Sequence, residues 1–348
     1  MSATDANASN GTISTGLDTR SPRLRLGRLI ADPSARLATV VIVVGAVLAW
    51  LANDYPADIP AFLPWDFYWT DYLCIAFPLA WYLRGLWLTP AGQRPHAMRR
   101  IAFLTGVALI YAVTQTRFVY FAQHMFFLNR IQQLGMHHIG PVLVALGWPG
   151  DTIARGMPAF IHRIIRARWL QSVMRVLQQP VVAGFIFVGL LALWVDPAVH
   201  FPAMISPVLY DTMNLTMVID GLLFWFLILD PRPVPQAAHS YATRLVTVIL
   251  VCFPEMIIGA ALSFTTTSLY AYYDLCGRLI PSIGALQDQH IGGVVIWIPG
   301  SLISSAAFMI IMIHLRVQED KAVDGKHRDD IVLPSGARVS SASWTGRA

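Results

Sequence analysis

Apolar residues run along this chain in long blocks rather than in the alternating or stripe-like patterns of a soluble fold. A membrane-crossing helix needs about 20 mostly apolar residues. Eight segments approach that length, near 37–52, 68–88, 101–115, 119–146, 180–197, 207–229, 243–266 and 290–314. The fourth, seventh and eighth are long, and the first three are short or interrupted. Polar, small-residue sequence opens the chain (MSATDANASNGTISTG) and a charged stretch follows the last block. Neither can form a core, so residues 1–36 and 316–348 are expected to be disordered tails. Between spans four and five, the run RGMPAFIHRIIRARWLQSVMRVLQ mixes Arg with Ile, Leu, Val and Trp at helical spacing. It reads as an amphipathic helix lying on a membrane surface.

Composition sharpens this picture. Of 348 residues, 55% are hydrophobic and 13% charged, with a mean hydropathy of +0.54. A soluble domain carries about 25% charged residues. The balance excludes a soluble enzyme, a disordered protein and a secreted disulfide scaffold. Cys74, Cys252 and Cys276 form neither a CxxC pair nor an even framework. With the N-terminus placed in the cytoplasm, 22 of the 25 Lys and Arg fall on the cytoplasmic side. Asp54, Asp58, Asp66, Asp196 and Asp274 fall on the other side. Such a split follows the positive-inside rule and predicts two cytoplasmic termini. Five arginines precede the first apolar run, as in a secretory signal, but Trp50 and Leu51 occupy the place of a small-residue cleavage site. The first span is therefore read as a retained anchor.

Ionisable groups inside a span need a partner or a purpose. Span four carries His124, Asn129, Arg130, Gln132, Gln133, His137 and His138; span six adds Asn214 and Asp220; span seven adds Glu255 directly after Pro254. At about 100° per residue, Arg130, Gln133 and His137 share one helix face. Counting from the helix ends places Arg130, Asp220 and Glu255 at a common depth. These positions predict a polar network of Arg130, Gln133, His137, Asn214, Asp220 and Glu255, with Arg130 as the partner of the acids. It would act either as a packing staple or as a proton or ion relay. Pro254 supports both readings, because it frees the Leu250 carbonyl.

Soft thioethers and imidazoles suit Cu(I). His124, Met125, Met213, Met217 and His290 lie toward the outer half of their spans, with His200 and Met204 in the loop between spans five and six. Met213 and Met217 are one turn apart and can point the same way. His124, Met213, Met217 and His290 are the copper candidates. Nucleotide and haem chemistry find no motif: GxxxxGK[ST], HExxH and CxxCH are all missing from the sequence. His137 and His138 are adjacent, and neighbours on an α-helix point about 100° apart, so at most one of them could ligate a haem.

The run FVYFAQHMFFLNRIQQLGMHHIGPVLVALGWP, residues 118–149, resembles the fourth-helix signature of the multi-pass CtaG family of cytochrome c oxidase assembly factors, down to its Pro141–Pro149 exit. Leu193-Trp194, the run Gly221 to Trp225 and the exit Leu229-Asp230-Pro231 resemble that family's central helix pair. Asp288 to Gly293 followed by Trp297-Ile298-Pro299-Gly300 resembles its closing helix. The likeness covers residues 68–315. Where the family carries an HMxxH-like pair, this chain has Asn129 and Gln133, and the family's Glu-His pair falls on Met213 and Asn214.

The resemblance implies an all-α bundle of about eight membrane helices: a seven-helix CtaG-like core at 68–315 plus an extra N-terminal helix and outer loop at 37–67. It implies a non-enzymatic accessory factor for assembly of a haem-copper, caa-type oxidase in a bacterial inner membrane. Its partners would be oxidase subunits or other assembly factors, and its cargo copper handled at the outer face. Asp288 and Gln289 would shape the outer mouth of that site. The reading from a different class is a secondary transporter or an ion or proton channel using Arg130, Asp220 and Glu255. The sequence shows no inverted repeat of the kind many such transporters carry.

Overall fold

The computed structural model describes residues 33–328 and a two-residue antiparallel pair, Ile331–Val332 with Arg338–Val339. The expected N-terminal tail lies outside the described residues as far as residue 32; of the expected C-terminal tail, residues 316–328 are helical, and 329, 330, 333–337 and 340–348 lie outside the described residues. Everything else of regular structure among the described residues is helical. The first helix, α1 (Pro33–Asp54), begins slightly before the expected anchor. It packs on α2 (Trp69–Leu88), where the Tyr72 hydroxyl donates to the Val41 carbonyl at 2.7 Å. Val40, Ile42, Val43, Val47 and Trp50 remain exposed.

After α3 (Ala97–Gln115), the expected fourth span is not one helix. It is α4 (Phe118–His124), α5 (Phe126–Gln133), a π-helical turn (Leu134–Ile139) and α6 (Gly140–Gly147). The break is at Met125, which is extended (φ −144°, ψ 132°) and fully buried. An interrupted helix leaves its first N–H groups without partners. Asp288 takes them from the far end of the chain: its carboxylate accepts from Phe126 N at 2.9 Å and Phe127 N at 2.8 Å. Arg278 pairs with the same carboxylate at 2.5 Å. Irregular backbone is tolerated at membrane depth only where protein surrounds it. Here the surroundings include a buried acid placed for the purpose.

The short helices α7 (Gly150–Gly156), α8 (Ala159–Ile165) and α9 (Arg168–Leu177) follow. The amphipathic segment is thus two helices instead of one. No residue of α8 or α9 is buried, and Trp169, Val173 and Val176 form an exposed apolar stripe on α9. Then come α10 (Pro180–Val195), α11 (Pro197–Ile205), α12 (Pro207–Ile228), α13 (Tyr241–Phe264), α14 (Tyr272–Leu275) and α15 (Ala285–Arg328). His200 and Met204, expected in a loop, lie on α11. The helix that carries the last expected span continues beyond 314, through Arg328.

Helices α1, α3, α12, α13 and α15 are long and apolar enough to cross a membrane, and α9 with α10 forms a further pair bent by 72°. The expected count of eight is not reached on that measure. Asp71, Pro78 and Arg84 dilute α2, α10 has 16 residues, and the fourth span is broken. The architecture is nonetheless a helical membrane bundle with its polarity reversed from that of a soluble protein. Trp87, Val181, Phe185, Val208, Phe264 and Leu302 face outward, while Arg130, His137, Asp220 and Glu255 are buried.

Segment α5–α6 lies at the centre, against α3, α12 and α15. Helices α13 and α15 cross closely. A methyl group on Gly259 would stand 2.8 Å from the Gly293 carbonyl, and one on Gly293 would stand 2.7 Å from the Gly259 carbonyl. Small residues thus let the two backbones touch. The α12–α13 connection is held by buried Arg244, whose guanidinium donates to the carbonyls of Asp230, Arg232 and His239. This clamp fixes α13 relative to α12.

Asp288→Ala removes both acceptors from the start of α5 and leaves Arg278 without its buried partner. The expected loss is about 3–5 kcal/mol of stability, read as a fall in the unfolding midpoint of the purified protein in detergent. An unchanged midpoint would show that α5 holds its position without this contact.

Candidate functional site

The centre of the molecule is organised by a missing hydrogen bond. Pro141 has no N–H, so the carbonyl four residues earlier, that of His137, loses its helical partner. The chain widens there into the π-turn, in which Gly140 N bonds back to the Gly135 carbonyl. Trp225 on α12 supplies the absent donor, with Nε1 3.1 Å from the His137 carbonyl. Its approach requires Gly221, where a methyl group would stand 2.6 Å from that same carbonyl. Turns of this kind occur often at functional sites, and this one carries two histidines.

Each histidine meets an acid from a different helix. His137 Nε2 lies 3.1 Å from Asp220 Oδ2 on α12, and His138 Nε2 lies 3.2 Å from Glu255 Oε1 on α13. Phe187 of α10 stacks on the His137 ring at 3.9 Å, with 20° between planes. The two imidazoles are 5.0 Å apart and nearly perpendicular. All four side chains are buried. One ring nitrogen from each histidine and one carboxylate oxygen of Glu255 lie within 4.8 Å of one another. Among the described residues this trio is the group of His, Cys, Asp and Glu side chains with the spacing of a metal site.

Several polar atoms here have no partner: His137 Nδ1, Glu255 Oε2, Gln133 Oε1, Asn214 Oδ1, and Nε and Nη1 of Arg130. Arg130, Gln133, His137 and His138 line a cavity of about 10 Å³, enough for about one water molecule. On the other side, a methyl group on Gly300 of α15 would stand 3.6 Å from Glu255 Oε2 and 3.7 Å from His138 Nε2. The helix therefore leaves a methyl-sized space beside both atoms.

The structure brings His137, Asp220 and Glu255 together as the polar pattern suggests, but Arg130 is not their partner. No carboxylate lies within 4.0 Å of it among the described residues. Arg130 donates through Nη2 to Asn129 and sits 4.7 Å over the Phe126 ring. The histidines took its place because the π-turn aims both of them at acids. His138 lies outside the expected network, and the two rings, 81° apart in plane, reach acids on different helices.

The copper candidates are dispersed. Met213 and Met217 pack in an apolar cluster with Phe126, Met136 and Tyr210. Gln133 Nε2 lies 3.8 Å from the Met213 sulfur, and Asn129 Nδ2 lies 3.8 Å from that of Met204. His124 bonds the Tyr120 carbonyl at 2.7 Å, and His290 bonds that of Thr265 at 2.7 Å. No hydrogen bond or ring contact joins these two histidines to each other or to either methionine among the described residues. His200 is held between the Trp194 carbonyl and the Tyr273 hydroxyl, each at 3.0 Å. Asp288 and Gln289 are both buried. Asp288 caps α5, and Gln289 accepts from Leu269 N at 2.7 Å and donates to the Thr267 carbonyl at 3.3 Å.

The family model described as cytochrome c oxidase caa3 assembly factor (Caa3_CtaG) matches residues 80–318, from within α2 into α15. The chain belongs to the Caa3_CtaG family. An uncharacterized protein of Mycobacterium leprae (strain TN) is 24% identical over 262 residues, covering 69% of this chain and 38% of that relative. This Caa3_CtaG chain thus spans well under half the length of that relative. No solved structure matches it. The matched region contains all the residues of the His–acid cluster.

Trp225→Phe keeps an aromatic ring and deletes the donor to the His137 carbonyl. A buried carbonyl left unbonded costs about 1–3 kcal/mol. The unfolding midpoint should fall accordingly, while Trp148→Phe, away from the cluster, should leave it nearly unchanged. Equal effects of the two substitutions would remove the bond's role in holding the π-turn.

Proposed function

We propose that this protein is a non-enzymatic accessory factor for maturation of a haem-copper cytochrome c oxidase in a bacterial inner membrane. It would hold an oxidase subunit or another assembly factor within the bilayer while copper is handled near the outer face. The observation that carries this reading is the match to the caa3 assembly-factor family over residues 80–318. The apolar exterior and the buried histidines and carboxylates are consistent with it. The distribution of Lys and Arg supports cytoplasmic termini.

One observation favours a second reading, proton or ion transport: two carboxylates are paired with two imidazoles inside the bundle, as in membrane proton relays. Deletion of the gene, followed by quantification of assembled oxidase and of its copper-to-haem ratio, separates the two. The expected result is a several-fold loss of copper-replete oxidase, restored by the wild-type chain. Normal oxidase in the deletion strain, together with a gradient-driven flux into proteoliposomes that Glu255→Gln abolishes, would replace assembly with transport.

A further inference from the structure

We infer that His137, His138 and Glu255 form a binding site for one imidazole-preferring transition-metal ion, with Asp220 as the carboxylate that orients His137. This goes beyond the assembly role and rests on it only for the identity of the natural cargo. The site is also distinct from the positions at which the resemblance implied ligands. Those are Asn129, Gln133, Met213 and Asn214, where Gln133 faces the Met213 thioether instead of a ligand set.

Three features carry the assignment. The first is spacing, since the three donor atoms lie within 4.8 Å of one another and one ion can touch all of them after small side-chain movements. The second is the pattern of used and unused atoms. His137 Nε2 is engaged by Asp220, leaving Nδ1 bare, and Glu255 Oε2 is bare as well. A carboxylate that accepts the N–H of one ring nitrogen fixes the tautomer and leaves the other nitrogen as a lone-pair donor, the usual outer support of a metal-bound histidine. Beside these two unpartnered, buried acceptors stands His138 Nε2, whose 3.2 Å contact with Glu255 Oε1 a metal ion bound between them would replace. The third is space: Gly300 leaves room beside Glu255 Oε2 and His138 Nε2.

The donors also select the ion. Two imidazoles suit copper, zinc or iron, whereas calcium or magnesium would want a shell of oxygens. A site built for Cu(I) from thioethers would use Met213 and Met217, which pack elsewhere. Charge agrees with a cation. Asp220 and Glu255 are the acids beside the donor set, and Arg130 lines the neighbouring cavity.

The test is metal titration of the purified full-length chain in detergent. Zn(II) and Co(II) serve as probes in air, and Cu(I) is buffered by a competing chelator without oxygen. The wild type should bind one equivalent, with Co(II) showing ligand-field absorption. His138→Gln or Glu255→Gln should weaken binding at least about 100-fold, and Asp220→Asn about 10- to 100-fold. Met213→Leu with Met217→Leu should have no effect. Gly300→Ala removes no donor and its methyl makes only ordinary contacts, so it tests the site even if a ligand variant fails to fold, and it should weaken binding by narrowing the space. A folded wild type that takes up none of the three ions would overturn the site. So would binding that survives in Glu255→Gln and Gly300→Ala, or that is lost with the methionines. Loss of oxidase in a deletion strain beside a metal-free protein would refute the site and keep the function. Tight metal binding beside normal oxidase would do the reverse.

Discussion

The constraint on which this structure depends is the need to satisfy two buried carboxylates far from water. Asp220 and Glu255 sit on different helices, and an unpaired charge in either place would be very costly. Both find imidazoles on one short stretch of chain, so the two contacts tie α12 and α13 to the central segment at a single level. Helices in lipid gain no hydrophobic advantage from meeting one another, so packing and polar contacts must set their relative positions. Here the polar contacts are concentrated in one layer. Glycine-mediated packing of α15 on α13 closes that layer from the side of Gly300.

Presenting two adjacent histidines to two helices requires a departure from regular α-helix, and the departure has a traceable cause. Pro141 withholds a donor, the π-turn widens the backbone, and the indole of Trp225 takes the vacated carbonyl. The same segment is interrupted earlier at Met125, where Asp288 substitutes for the missing start of a helix. Both irregularities are repaired by side chains from elements distant in sequence. The central segment is therefore shaped by its neighbours more than by its own propensities, and a local change at Trp225 or Asp288 acts on the site through the backbone.

How much of this was legible in the sequence follows from that division. The helical membrane class, the buried depth of Asp220 and Glu255 and the family likeness all depend on composition or on short local patterns, and they could be read directly. The break at Met125 could not. No Gly or Pro marks it, and its stabilising contact comes from residue 288. The partners of the acids are hidden for a related reason: depth and charge point to Arg130, whereas the π-turn carries His137 and His138 to Asp220 and Glu255. One local signal was available. Pro141 stands four residues after His137, the offset at which a proline frees a carbonyl, as Pro254 does for Leu250.

Arg130 has a different place in this layer. A guanidinium buried without a carboxylate, stacked over Phe126 and bonded through one nitrogen to Asn129, does not lock helices together as an ion pair would. It places a fixed positive charge on the wall of a water-sized cavity that also exposes His137 and His138. Asp220 and Glu255 face the same imidazoles from α12 and α13, so one guanidinium and two acids share this layer. The balance between the guanidinium and the acids bears on any ion that enters the layer. Assembly of this layer from four helical segments makes that balance sensitive to their relative positions.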